Sequence, residues 1–374
     1  MTRQRPGRVP VVASLLLAMC GALLLPARPV RAHQVLPHAL GAFSTPAALP
    51  VRAAFQSAPA APSAPTTDQS PAAVSADDLD ALVATALRTQ DRAQRAALLR
   101  QAAERGHAAA QFNLGVAFDL GDGVPEDDAE AVRWLRLAAG QGLARAQDNL
   151  GVMIGGGRGV PQDDVEAARW FRAAAEQGLA SAQFSLAIMH EEGAGVARDD
   201  AEALRWYQAA AAQGHATAQF RVGGLYAEGR GVAPSAAEAL RWYRMAAESG
   251  LASAQYAIGS AYDIGDGVPE DDEEAVRWYR RAATQGHAPS QYALGAMYAF
   301  GSGVPVNQAQ AYLWLDMAVP VLREPDRGEA TAIRNEVARR LTPEERALAS
   351  DRSTTCLRTG FRNCGEPPAA QPTP

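Results

Sequence analysis

Tryptophan recurs at a fixed interval and limits the possible fold of this chain more than any other feature. The six tryptophans of the 374-residue sequence stand 36 residues apart, at positions 134, 170, 206, 242, 278 and 314. Glycines from Gly106 to Gly286 and glutamines from Gln111 to Gln291 keep the same step. A fixed period of about 20–50 residues is typical of a solenoid, in which each repeat stacks on its neighbours. The sequence therefore predicts six repeats over residues 106–320.

Each repeat has the periodicity of two helices. In the first repeat, apolar residues at 110, 114 and 117 or 118 share one helical face, which predicts a helix from Ala108 to Asp119. A second helix is predicted from Asp128 to Gly140, and its Trp134 is expected to dominate the buried surface of the repeat. These patterns predict an all-α fold.

An acidic, glycine-containing segment joins the two predicted helices. It reads Gly-Asp-Gly-Val-Pro-Glu-Asp-Asp at 121–128 and again at 265–272. A cation-binding loop needs several carboxylates at fixed spacing, but the fourth repeat has Ser235 between proline and alanine at this place. The spacing of Asp127 and Glu130 instead predicts a capping box, in which each side chain accepts a hydrogen bond from the other residue's backbone N–H. We therefore predict helix caps and no metal site.

These motifs resemble the Sel1-like repeat family, which is related to the tetratricopeptide repeats. The resemblance covers roughly residues 91–320 and rests on the Gly-x-Gly-Val turn, the acidic cap, Ala-x-x-Trp-Tyr and Ala-Ala-x-x-Gly. Leu135 and Phe171 depart from the tyrosine of the motif, and the sixth repeat departs further. The resemblance implies a right-handed α/α solenoid with capping helices at both ends. It also implies that the repeats bind other proteins, as a scaffold or adaptor.

Residues 1–32 are predicted to be a signal peptide. Three arginines precede an apolar run from Val11 to Leu25, which is shorter than the roughly 20 residues that span a bilayer. We predict cleavage after Ala32 and a periplasmic or secreted mature protein without an integral membrane span. Cleavage after Ala27, a retained anchor and a lipoprotein signal at Cys20 are the open alternatives.

The segments that flank the repeats differ from them in composition. Residues 33–75 contain many prolines and alanines and few charges, which predicts a disordered linker. Residues 76–105 resemble a degenerate repeat and are predicted to cap the N-terminal end of the array. Residues 321–374 are predicted to hold C-terminal capping helices, a disulfide loop and a disordered tail.

Two helix starts and one disulfide are predicted within the C-terminal segment. Asp326 with Glu329, and Thr342-Pro343 with Glu345, have the spacing of helix N-termini. Signal removal leaves Cys356 and Cys364 as the only cysteines, and an even pair in an exported protein indicates a disulfide.

Charge and composition exclude several classes of function. Residues 1–32 contain five arginines and no acids, so their removal changes the net charge from −6 to −6 − 5 = −11. An acidic protein is a poor ligand for nucleic acid, whose phosphates require basic surface. The chain contains no lysine, which excludes Ser-x-x-Lys acylases, phosphate-loop lysines and Schiff bases. We predict a non-catalytic protein without cofactor.

Histidines offer no metal site in the sequence. His107, His215 and His287 share one repeat position with leucines, which indicates half-buried packing residues. His190 replaces an aromatic residue in its column, and no second histidine follows at zinc spacing.

The variable positions of the first helices are the candidate binding surface. Two neighbouring columns supply the predicted partner-binding residues, which are Asn113, Asn149, Arg221, Phe112, Phe220 and Tyr256. An aromatic row beside changing polar residues suits protein recognition, although the aromatics could instead pack between repeats.

We therefore predict an exported, monomeric interaction scaffold, adaptor or regulator that binds a cell-envelope protein. The alternative is a cell-envelope enzyme or a protein that binds peptidoglycan or β-lactams. The resemblance supports this alternative weakly, because the cysteine pairs of relatives linked to β-lactam binding are missing from these repeats.

Overall fold

The protein is described here by a computed structural model. The structure describes residues 75–361 and Cys364, which form two compact units, residues 75–174 and residues 175–361 with Cys364. The predicted signal peptide, the predicted linker up to residue 74 and most of the predicted tail lie outside the described residues.

The described residues form sixteen helices and no strand. The all-α solenoid of paired helices is therefore confirmed, and the two helices predicted for the first repeat appear at Ala108–Leu120 and Asp128–Gly140. The helices are α1 (Ala76–Arg88), α2 (Arg92–Glu104), α3 (Ala108–Leu120), α4 (Asp128–Gly140), α5 (Ala144–Gly155), α6 (Asp164–Glu176), α7 (Ala180–Glu192), α8 (Asp200–Ala212), α9 (Ala216–Glu228), α10 (Ala236–Glu248), α11 (Ala252–Ile264), α12 (Asp272–Ala283), α13 (Ala288–Phe300), α14 (Gln308–Ala318), α15 (Asp326–Arg340) and α16 (Pro343–Arg358).

The acidic turn residues cap the second helices, but the predicted capping box is only half formed. Asp127 Oδ1 accepts hydrogen bonds from the backbone N–H groups of Ala129 and Glu130, both at 3.0 Å, as the prediction requires. The reciprocal half is wrong, because the Asp127 N–H donates to the Phe118 carbonyl oxygen of the preceding helix at 3.0 Å. The Glu130 carboxylate is thereby free to accept from Trp134 Nε1 at 3.2 Å.

The same backbone bond recurs in every later repeat. It links each N-cap N–H to a carbonyl oxygen in the last turns of the preceding helix, in the pairs Asp163–Ile154, Asp199–His190, Ser235–Tyr226, Asp271–Tyr262 and Asn307–Tyr298. The turn thus brings the N-cap amide opposite a helix-terminal carbonyl that lacks an intrahelical partner. The closure of each helical hairpin therefore does not depend on the glutamate side chain.

Trp134 is buried as predicted, with 5% of its surface exposed, but tryptophan is not the most deeply buried residue of every repeat. In the fifth repeat, Tyr279 is fully buried whereas Trp278 is half-buried. The reason is a glycine on the facing helix, because a Cβ placed on Gly259 would lie 2.7 Å from Tyr279 Cδ1. Trp278 instead lies at the edge of the repeat under the guanidinium of Arg281, 4.5 Å from the ring centroid.

Neighbouring repeats meet where the turn glycine of one repeat lies against the second helix of the repeat before it. Gly231 has a φ of +69°, and a Cβ on it would overlap the Asp200 carbonyl and lie 2.7 Å from the Ala201 nitrogen. Only glycine fits there, because both the left-handed backbone and the approach of the neighbouring backbone exclude a side chain. The Gly-x-Gly-Val turn is therefore a junction between repeats as well as a connection within one.

Arginine side chains reinforce two of these junctions. Arg230 contacts Glu191 through Nη1 at 2.9 Å and Asp200 through Nη2 at 2.7 Å, and both acids belong to the preceding repeat. The hydrogen bond from Arg230 holds the pKa of Asp200 below its usual value. Arg158 bridges Asp119 and Asp128 in the same way.

Glutamine side chains form a ladder of hydrogen bonds with one another and with carbonyl groups at the helix ends. Gln183 Nε2 donates to the Ala175 carbonyl at 3.2 Å, and Gln183 Oε1 accepts from Gln213 Nε2 at 2.8 Å. In the next repeat Ser249 replaces this second glutamine, and the buried Gln219 Oε1 has no hydrogen-bond partner in the described part of the chain. A buried acceptor without a partner costs stability, because it has lost its hydrogen bonds to water.

We predict that Ser249→Gln stabilises the protein by about 1 kcal/mol, because it restores the missing donor to Gln219. Urea unfolding of the variant and the wild type measures the difference in the free energy of unfolding. Gln213→Ser is the matched control and should destabilise by a similar amount, because it removes the donor to Gln183. Unchanged stability in Ser249→Gln would contradict this reading of the ladder.

Both predicted helix starts in the C-terminal segment are present, but only one of them has a side-chain cap. Thr342 and Glu345 form the predicted capping box, with hydrogen bonds of 3.2 and 2.9 Å. The other helix begins at Asp326, as predicted, with Pro325 in the N-cap position. Proline has no side-chain acceptor, so no side chain caps this helix.

The predicted disulfide between Cys356 and Cys364 is present. Their Cα atoms are 5.2 Å apart, and both residues are buried. Phe361 lies between them in sequence, and its ring covers Gly286. The disulfide loop therefore packs onto the end of the second helix of the fifth repeat.

Candidate partner-binding face

The candidate binding surface is here named the first-helix row. It comprises the side chains at the fifth and sixth positions of the first helices, which the sequence predicts as variable contact positions. In the unit 75–174 these are Phe112, Asn113, Asp148 and Asn149, and in the unit 175–361 they are Phe184, Ser185, Phe220, Arg221, Tyr256, Ala257, Tyr292 and Ala293.

The aromatic positions of the first-helix row are not equally accessible. Phe112, Phe184 and Phe220 are half-buried, whereas Tyr256 and Tyr292 are buried, with 6% and 2% of their surface exposed. Tyr256 is therefore too deeply buried for the partner contact that the sequence predicts. Its partner-binding role has no support from exposure, and Phe112 and Phe220 are the accessible members of the predicted aromatic set.

The aromatic residues pack against the second helix of their own repeat. The ring centroids of Phe220 and Tyr243 are 5.3 Å apart, and those of Tyr256 and Tyr279 are 5.5 Å apart. Rings at these distances stabilise each other through offset or edge contacts. The packing role that the sequence left open is therefore present in these repeats, and Phe220 remains half-buried.

The predicted polar contacts lie beside the aromatic column. Asn113 is half-buried, and its Nδ2 donates to the Ala109 carbonyl at 2.7 Å in the same helix. Asn149 is also half-buried. Asn113 retains its side-chain oxygen for a further hydrogen bond, because an amide offers both a donor and an acceptor.

Arg221 is the most distinctive member of the first-helix row. Its side chain is 31% exposed, and Nη1 lies 4.0 Å from Glu191 Oε2. That carboxylate already accepts from Arg230 Nη1 at 2.9 Å and from Tyr207 Oη at 2.6 Å. Arg221 Nε is buried and has no hydrogen-bond partner within the residues the structure describes. The exposed part of its guanidinium is held only by this long approach to Glu191, so it can also donate to an incoming group.

Histidines at the starts of three first helices have a role that the sequence did not reveal. His107, His215 and His287 are N-cap residues whose Nδ1 accepts a backbone N–H three residues on, at 3.1, 3.2 and 3.3 Å. The prediction of half-buried packing residues was incomplete. The sequence did not indicate this capping role, because leucine occupies the same position in other repeats and makes no such bond.

Burial also changes the acidity of a tyrosine that lies beside the first-helix row. Burial raises the pKa of Tyr207 well above its ordinary value, so the phenol that reaches Glu191 stays protonated and acts as a donor. Within residues 75–361 and Cys364, no three histidine, cysteine or acidic side chains are placed to hold a metal ion. None of the helices in this part of the chain has the length and apolarity needed to cross a membrane.

Comparison with known proteins places these repeats in a family. The Sel1 repeat model matches residues 108–143, 144–179, 180–215, 216–251, 252–287 and 288–319. The crystal structure of a Sel1 repeat protein from Oxalobacter formigenes is 32% identical, with a TM-score of 0.58, and the match covers 65% of this chain and 98% of that chain. No curated protein matches this chain.

A second solved structure is similar to this chain at lower identity. It is c5321, a protective antigen of uropathogenic Escherichia coli with an SLR fold, and it is 24% identical with a TM-score of 0.41. The match covers 80% of this chain and 89% of that chain. The periodic sequence, the paired helices and the six matched segments together show that this chain belongs to the Sel1 repeat family.

Proposed function

We propose that this protein is an exported, non-catalytic scaffold or regulator that binds a cell-envelope protein through the first-helix row. Sel1 repeat proteins generally act as protein–protein interaction scaffolds. Export is supported by the arginines, the apolar run and the small-residue cleavage positions in residues 1–32. The missing lysine, together with the lack of a metal-holding group among the described residues, supports a binding role over a catalytic one.

Arg221 is the observation that carries the proposal. A partly exposed guanidinium, 4.0 Å from Glu191, follows the half-buried Phe220 in the helix and combines a charged group with an aromatic contact. Arginine and aromatic residues contribute a large share of the energy at protein interfaces. The fold does not require an arginine here, because the same column holds Ser185 and Ala257 in neighbouring repeats. We therefore infer that Arg221 and Phe220 form the centre of the contact.

Cross-linked capture from envelope extract tests this proposal, with the mature chain as bait. Arg221→Gln should reduce recovery of the partner at least tenfold, because truncation of a central arginine at an interface costs about 1.4 kcal/mol or more. Arg241→Gln is the matched control. It makes the same change on the second helix α10, where Arg241 pairs with Glu238 at 2.9 Å and is 62% exposed.

Three results would contradict the proposal in different ways. Equal loss with both variants would point to general charge effects, and loss with Arg241→Gln alone would place binding on the second helices. Retention on purified wall polymer, with no protein captured, would favour the alternative of a wall-binding protein. Folding of each variant is checked by circular dichroism before capture.

A further inference from the structure

Two of the capping histidines join the helix starts to the first-helix row. His215 begins α9, and its Nδ1 accepts the Ala218 N–H at 3.2 Å. His287 begins α13, and its Nδ1 accepts the Ser290 N–H at 3.3 Å and lies 2.8 Å from the Ser290 hydroxyl. In both rings the nitrogen that faces the helix is an acceptor, so the neutral ring carries its proton on Nε2.

These caps exist only while the rings are neutral. A second proton would bind at Nδ1, which would turn the acceptor into a donor that faces backbone N–H groups. The resulting positive charge would also lie at a helix N-terminus, where the helix dipole disfavours cations. Protonation therefore removes one cap and introduces repulsion at the same position.

Burial keeps both rings neutral near pH 7. It lowers the pKa of His287 to about 4 and also lowers the pKa of His215. Two phenols lie near the rings: Tyr256 of α11 contacts His287, and Tyr207 of α8 contacts Phe184, the ring on which His215 stacks. Burial raises the pKa of both phenols, so neither can offset a charge on the imidazole at acidic pH.

His107 differs, because a carboxylate faces it. Its Nε2 lies 2.8 Å from Asp80 Oδ1 of α1, and that carboxylate can form an ion pair with a protonated ring. No described carboxylate contributes to the pKa shift of His215 or His287. These two rings therefore have no acid partner that would compensate protonation.

Each ring contacts an aromatic member of the first-helix row in the preceding repeat. His215 stacks on Phe184 with centroids 4.6 Å apart and planes inclined by 23°. His287 lies against Tyr256 with centroids 5.3 Å apart. A change in either ring is therefore transmitted to the row across the junction between two repeats.

We propose that His215 and His287 form an acid-sensitive device, in which proton uptake by either ring breaks its helix cap and loosens the aromatic residue beside it. Acidification then weakens the junctions of repeats three with four and of repeats five with six. Its consequence for binding rests on the proposed function, since Phe184 and Tyr256 belong to the first-helix row. The device itself is a property of the free protein.

The direction of the pH effect follows from the lowered pKa. Between pH 6.5 and pH 4 the ring is protonated in the unfolded chain but stays neutral in the folded protein. The free energy of unfolding is therefore highest above pH 6.5 and decreases as the pH falls. With a folded pKa of about 4 for His287, the unfolding equilibrium constant should rise about 25-fold between pH 7.5 and pH 5 from this residue alone. His215 adds to this factor in the same direction.

The test compares the full-length mature wild type with the double variant His215→Leu/His287→Leu at pH 7.5 and pH 5. Leucine stands at the equivalent position in other repeats, as Leu179 and Leu251. Urea unfolding should show a pH ratio at least about 25-fold smaller in the variant than in the wild type. Groups common to both proteins, including Asp326 with its raised pKa, cancel in this comparison.

An NMR titration of the wild-type histidine rings keeps the test decisive if the variant does not fold. The proposal expects His215 and His287 to titrate below 6.5, and His287 near 4. Equal pH ratios in the two proteins, or ring pKa values of 6.5 or higher, would overturn it. Both measurements use free protein, so absence of an envelope partner would contradict the proposed function and leave this result unaffected.

Discussion

Replacement of Gly231 by alanine is expected to destabilise the protein by about 4 kcal/mol, an unusually large loss for one methyl group. The added Cβ would overlap the Asp200 carbonyl, and the left-handed φ of +69° already disfavours a side chain. Backbone atoms cannot rotate away as a flexible side chain can, so the third and fourth repeats must separate. Urea unfolding, followed by tryptophan fluorescence, measures the loss.

Gly214 provides the matched control for this prediction. It also has a positive φ, of +84°, but a Cβ on it would meet nothing within 4 Å. Gly214→Ala should therefore cost only the conformational strain, about 1 kcal/mol. Similar losses in the two variants would show that conformation alone, and not contact between repeats, explains the turn glycine.

Replacement of Tyr279 by alanine is the second large effect, with an expected loss of about 4 kcal/mol. Tyr279 is fully buried, packs against Gly259 and Tyr256, and donates to Asp263 at 3.2 Å. Trp278→Ala should cost clearly less, about 1–2 kcal/mol, because that ring is half-buried at the edge of the repeat. Denaturant unfolding of the two variants under identical conditions measures the order.

Tyr279→Leu tests whether the loss comes from the cavity. Leucine occupies the equivalent position as Leu135 and Leu315, and both are buried beside a facing glycine. This variant should lose about 1–2 kcal/mol, because it keeps most of the packing and gives up the phenol. A larger loss for Trp278→Ala than for Tyr279→Ala would mean that tryptophan holds the repeat together after all.

The helices could be predicted from the sequence because the same local patterns recur at an uninterrupted 36-residue period. The apolar spacing and a capping residue of the Asp, Ser or Asn type each recur six times, so α4 was placed at Asp128–Gly140 with both ends correct. The relative burial of Trp278 and Tyr279 could not be predicted in this way. It depends on which of two adjacent side chains meets Gly259 on another helix, and periodicity within one helix does not contain that information.

The capping interactions show a second limit of sequence reasoning. Asp127 was correctly identified as an acceptor, but the partner of its own N–H is set by the turn geometry, which delivers the Phe118 carbonyl. His215 was interpreted through its exchange with leucine, which concealed a hydrogen bond that the imidazole makes and leucine cannot.

The helix positions of the candidate residues could be predicted from the repeat, but the accessibility of their side chains could not. Phe220 and Tyr256 occupy the same column, yet Phe220 is half-buried and Tyr256 is buried. Tyr256 is covered by Tyr279 and His287, and the second of these belongs to the junction with the following repeat. Exposure within a column therefore depends on residues about 30 positions away, which a repeat pattern does not reveal.

Hydrogen exchange of the captured complex, read by mass spectrometry, tests the central claim most directly. Binding through the first-helix row predicts slower exchange in the first helices, above all in α7 and α9 around Phe184 and Arg221. Exchange in the second helices α8 and α10 should change little. Protection confined to α8 and α10, or to the terminal helices α15 and α16, would contradict binding through the first-helix row.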